Sequence, residues 1–114
     1  MIAEHILTIE KAMQQVYLLS DHSPQNMNQI VRWTMNKEKH ADEIQHIISQ
    51  YYLTQRIKGP DAKDKEAAES YAKKLTFCHQ ILVYAMKCKQ TTELDNVKML
   101  TSLVGEFKKV YFNK

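Results

Sequence analysis

Two glycines and two prolines are all that 114 residues offer for tight turns. A β-sandwich or barrel needs a turn signal roughly every ten residues, so the supply of turn formers alone excludes those architectures. Apolar residues make up 44% of the chain, enough to offset the entropy of ordering and to exclude disorder. At this length residues 1–114 form a single domain around one core. The reading is all-α.

The apolar residues draw stripes at helical spacing. Ile2, Ile6, Ile9, Met13 and Val16 step by four and three along a first helix, which Leu18 and Leu19 finish. Ser23 is suited to cap a second helix with Pro24 at its first position, and Met27, Ile30, Val31 and Trp33 carry that helix to about Met35. The polar stretch Asn36-Lys37-Glu38-Lys39 then interrupts the stripe and reads as a bend or short connection, or as a kink in one long helix. Ala41, Ile44, Ile47, Ile48, Tyr51 and Tyr52 define a third helix ending near Ile57, before the Gly59-Pro60 breaker.

Asp61, Asp64, Glu66 and Glu69 place negative charge in the first turns of a fourth helix, where the macrodipole favours it. That helix continues through Ala68, Tyr71, Leu75, Cys78, Leu82 and Ala85, and is apolar on nearly every side between Leu75 and Met86, as a central rod would be. Thr91-Thr92-Glu93 opens a last helix with Leu94, Val97, Leu100, Val104, Phe107 and Tyr111. The expected architecture is a bundle or a superhelical stack of about five helices.

Sixteen Lys and Arg against thirteen Asp and Glu leave a net charge of +3, too little to announce nucleic acid. The longest apolar run, Ile81 to Met86, spans six residues, whereas a membrane span needs about 20. No secretory signal is visible at the N-terminus. Cys78 and Cys88 lie ten residues apart on one expected helix, which separates them by roughly 15 Å along the axis. A disulfide between them is excluded, and both read as buried, reduced thiols in a reducing compartment.

Catalytic signals are sparse. There is no glycine-rich phosphate loop, no Cys-x-x-Cys and no nucleophile elbow. Glu43-x-x-His46 is the nearest approach to a metal motif, but carboxylate-bridged bundles need it twice, and the pair reads as a solvated helix face. The lysine pairs Lys73-Lys74, Lys87 with Lys89 and Lys108-Lys109 read as exposed helix positions rather than a phosphate site. These residues imply a binding module with no catalytic residue, no metal and no cofactor.

Two segments resemble the CTD-interaction domain (CID, or RPR domain), the helical module that reads the tail of RNA polymerase II. The first runs from Leu19-Ser20 through Gln25 to Trp33 and on to Lys39-His40 and Ile44; the second links Lys74-Leu75-Thr76-Phe77 to Phe107-Lys108-Lys109-Val110. The resemblance implies a right-handed superhelical stack of the VHS/ENTH/CID kind, with an up-and-down bundle as the alternative. It also implies a peptide groove walled by Asn26, Met27 and Ile30 on one helix and by His79, Leu82, Val83 and Met86 on another. Leu82-Val83 departs from the family's Asn-Asp pair and His79 from its tyrosine. The connection from Ile57 to Leu75 is longer than the family's, and the chain stops before its final helices.

On that resemblance the expected function is a non-enzymatic adaptor in transcription or pre-mRNA 3′-end processing. It would bind a phosphorylated or hydroxyl-rich peptide, with RNA as a minor partner and the nucleus as its site, the cytoplasm being the alternative. A second reading is a trafficking module of the VHS or MIT type, with the span from Ala68-Glu69-Ser70-Tyr71 to Tyr111 docking a partner helix. The missing last helices would leave an apolar face of the final helix open for self-association.

Overall fold

The computed structural model describes residues 2–19, 24–60 and 63–112. Ser23 and Asp61, expected at two helix starts, lie outside the described residues. Four helices account for the fold: α1 (Ile2–Leu18), α2 (Pro24–His46), α3 (Lys65–Gln90) and α4 (Leu94–Phe112). A π-helical segment, Ile47–Arg56, continues α2 without a break. Among the described residues there is no strand, so the all-α expectation holds.

Each helix packs against the next in the chain, and α4 returns to α1, so the rods close into a ring. Cross-contacts fix their directions. Counted outward from the α1–α2 turn, His5 meets His40 and Lys11 lies over the Trp33 ring, at nearly equal distances along the two arms. Between α2 and α3, Lys37 pairs with Thr91, Asp42 with Lys89 and Gln45 with Leu82. Lys74 sits over Tyr111 near opposite ends of α3 and α4, and Tyr17 and Leu18 of α1 line a groove with Thr92 and Leu94. All four junctions are antiparallel, which makes an up-and-down bundle 62 × 22 × 19 Å in extent. This arrangement matches the up-and-down alternative, and the expected superhelical stack of about five helices is not confirmed.

The count falls to four because Asn36-Lys37-Glu38-Lys39 does not interrupt the helix. Lys and Glu are good helix formers, and nothing in the stretch breaks the backbone. Lys37 is 2% exposed and is the one buried charged side chain among the described residues. Its Nζ donates to the Thr91 carbonyl at 2.7 Å, at the C-terminal end of α3. There an ammonium meets both an unpaired carbonyl and the negative end of the helix dipole. Burial holds its pKa below the ordinary lysine value, against the opposing field of Glu38.

The other boundaries follow local chemistry. Asp64 caps α3, its carboxylate accepting from the Ala67 amide at 3.0 Å. Thr91 turns the chain into α4: its hydroxyl donates to the Lys87 carbonyl and accepts from the Asn96 side chain. The π segment has a packing reason. With bonds reaching five residues back, as from the Ile57 amide to the Tyr52 carbonyl, its turn holds about 4.4 residues. Ile48, Tyr52 and Ile57, spaced by four and five, therefore stay on the inner side, whereas Gln55 and Arg56 are exposed. Tyr52 meets Phe107 and Tyr111 edge-on, with centroids 5.1 and 5.2 Å away.

The core is one stripe from each rod: Ile2, Ile6, Ile9 and Met13; Ala41, Ile44 and Ile48; Cys78, Ile81, Ala85 and Cys88; Val97, Leu100, Val104 and Phe107. Helix α3 is thus one wall among four. His79, Gln80, Val83 and Met86 face outward, so the apolar surround read between Leu75 and Met86 is not a contact surface on every side. The inner face of α4 is likewise covered, because α1 lies over it, and the expectation of an unpartnered last helix fails on that closure.

Two outcomes are expected. Phe107→Ala should lower unfolding stability by about 3–5 kcal/mol, while Phe112→Ala, at an exposed position, should stay within about 0.5 kcal/mol; urea denaturation of both variants checks this. The second concerns His40, whose pKa is held below the ordinary 6.5 by burial, then by His5 and Lys39, with Glu43 opposing. The unfolded chain therefore takes up this proton more readily than the folded one. His40's contribution is present above pH 6.5 and is lost as pH falls through 6.5 toward the lower folded value. Denaturation midpoints at pH 7.5 and 5.5 should differ, and the difference should shrink in His40→Gln.

Candidate functional site

The residues expected to wall a peptide groove do not come together. Gln45 Nε2 donates to the Leu82 carbonyl at 3.3 Å, which sets Leu82 beside the far end of α2. Asn26, Met27 and Ile30 lie fifteen or more residues earlier on the same rod, roughly 20 Å away along the axis. They stand at the α1–α2 tip, where Met27 is exposed and Asn26 and Ile30 are half-buried. His79, Val83 and Met86 face solvent and Leu82 is half-buried against the core.

The groups with chemical capacity sit elsewhere. Cys78 and Cys88 are free and fully enclosed on the inner face of α3. Burial pushes each thiol up to about 11, and at Cys88 the nearby Lys37 ammonium only partly offsets it. Burial disfavours the thiolate form, so neither is a ready nucleophile or metal ligand. Ten residues separate them on one helix, and both face the dry interior. The expectation of buried, unbonded thiols is met.

The histidines divide differently. His46 and His79 are exposed single side chains, and Glu43 beside His46 is exposed too, as a solvated face requires. His5 and His40 are partly buried and their Nδ1 atoms lie 2.6 Å apart, so one ring must donate its proton to the other. Their rings are tilted by 47° with centroids 4.9 Å apart. Sequence reading missed this pair. The signal was present: each histidine flanks its helix's apolar stripe, and the two are nearly equidistant from the expected turn at Ser20–Pro24.

Among the described residues no three His, Cys, Asp or Glu side chains converge to hold a metal ion. An aromatic group of Tyr51, Tyr52, Phe107, Tyr111 and Phe112 packs near the opposite end of the bundle from the α1–α2 turn, with Arg56 over the Tyr51 ring. No described helix is long and apolar enough to cross a membrane.

Comparison with known proteins changes the functional reading. The family model described as nickel-containing superoxide dismutase matches residues 1–114. No curated protein and no solved structure matches the chain. The family match overturns the CID resemblance, whose short motifs were mainly the apolar spacing that any helical protein shows. With it go the adaptor role in transcription or pre-mRNA processing, the trafficking alternative, the peptide, RNA and partner-helix ligands and the nuclear location. The non-enzyme reading is also corrected, since the family is one of enzymes. The described residues do not fit the nickel in the family's description, because their thiols are locked in the core and their donors reach only two at any one place. By a match that spans its whole length, the chain belongs to the nickel-containing superoxide dismutase family.

Proposed function

We propose that the chain acts in superoxide disproportionation, the reaction by which one superoxide gives up an electron to become dioxygen and another takes it, with two protons, to become hydrogen peroxide. The family match over residues 1–114 carries this reading. The bundle's part in it is that of a rigid body, with four dry stripes fixing the rods and the polar groups kept to the rim. The net charge of +3 gives a small anion a mild electrostatic attraction to the protein.

The test is superoxide decay in the presence of the purified chain, loaded with NiCl2 and then freed of unbound metal. A decay rate above that of the same concentration of free Ni2+, and above that of the metal-free chain, is expected. Equal rates in all three would refute the proposal. A paired Cys78→Ala and Cys88→Ala variant should lose about 1–2 kcal/mol of stability per site and keep any nickel-dependent rate. Loss of the rate in a folded variant would show that these thiols serve the metal after all.

A further inference from the structure

We infer that the cavity between residues 58–60 and the start of α3 is a binding site for a phosphate group, free or as a small monoester. The cavity holds about 190 Å3 and is lined by Lys58, Pro60, Ala67, Ser70, Tyr71 and Lys74. That is several times the space of one water. Ala67, Ser70, Tyr71 and Lys74 fall on one face of α3 by their spacing. Lys58 and Pro60 close the other side from the connection after the π segment. The site goes beyond the proposed reaction and does not rest on it.

The lining suits a dianion. It brings two ammonium groups and two hydroxyls, with no carboxylate among the described residues that form it. Two unit charges match a phosphate dianion, and four donor-bearing side chains match its several acceptor oxygens better than the two of a carboxylate. Lys74 is half-buried, unlike its neighbour Lys73, so the surface reading of that lysine pair holds for Lys73 alone. Its Nζ lies 5.8 Å from the centroid of the Tyr111 ring. A ring face attracts the charge but takes no ordinary hydrogen bond, which leaves the ammonium's donors available. Among the described residues neither the Ser70 nor the Tyr71 hydroxyl has a hydrogen-bond partner, whereas Thr76 of the same helix donates to the Ala72 carbonyl at 2.9 Å. The Ala67 amide is already committed to the Asp64 cap, and Asp64, Glu66 and Glu69 are exposed outside the lining. The site therefore rests on the lysines and hydroxyls and not on the helix end.

Titration of the full chain with sodium phosphate and with glycerol 3-phosphate at pH 7.5, where a phosphate monoester is mostly dianionic, tests the site through 1H–15N spectra. Saturable shifts at millimolar anion are expected at Lys58, Ser70, Tyr71 and Lys74, and acetate at the same ionic strength should not produce them. Tighter binding of the ester would support a ligand whose organic part also enters the cavity, and equal binding would support the phosphate group alone. Lys58→Gln and Lys74→Gln should each weaken binding by about threefold or more, and Lys74→Arg should retain it. Lys98→Gln, the same loss of charge at an exposed position of α4, should change it little. If Lys74→Gln does not fold, Lys58→Gln carries the comparison, because Lys58 is exposed. No saturable shift with either anion, or a Lys58→Gln loss no greater than that of Lys98→Gln, would overturn the inference. Superoxide enters none of these readouts, so this site and the proposed reaction stand or fall separately.

Discussion

Removing one apolar stripe per rod from water is what the bundle depends on. None of the four helices is apolar all round, and none can keep its stripe dry alone. Closing α4 onto α1 completes the enclosure of Ile9, Ile44, Ile81 and Leu100, one from each rod and each at 0% exposure. The antiparallel directions follow from short connections between long helices. The π segment belongs to the same demand, since its wider turn keeps Tyr52 and Ile57 inside where an α-helical turn would carry Gln55 inward.

Closure also decides where chemistry can occur. Both cysteines fall on the inner stripe of α3, and burial makes them poor thiolates. Lys37 crosses to the interior only because the end of α3 presents it with a carbonyl and a negative dipole. The histidine pair sits beside the stripes of α1 and α2, close enough to the core to be held and close enough to solvent to be reached. This chain therefore carries the sulfur of Cys78 and Cys88 as packing, with the His5–His40 contact at the edge of the core.

Much of the fold was legible because helical spacing is a strong signal. The stripes of α1 and α4, the Gly59-Pro60 break and the Thr91 turn all stand where the residues place them. The merging of two expected helices into α2 was missed because Lys37 looks like a surface residue until the end of α3 is beside it. The choice between a closed bundle and a stack stayed open in the sequence because closure is a long-range property that no single stripe reveals. The groove of Asn26, Met27, Ile30, His79, Leu82, Val83 and Met86 failed for a related reason: its two walls belong to different heights of one long bundle. The His5–His40 contact was readable in principle, since an antiparallel hairpin reflects residue positions about its turn. Function was not readable, because none of the residues singled out in the sequence points to the family that matches residues 1–114.

Nickel K-edge X-ray absorption on the nickel-loaded chain reads the atoms around the metal directly, and so tests whether the thiols are core or ligand. Thiols committed to the interior leave a first shell of nitrogen and oxygen only. Sulfur scatterers at thiolate distance from the nickel would mean that Cys78 or Cys88 leaves the core to bind metal, and would contradict the account.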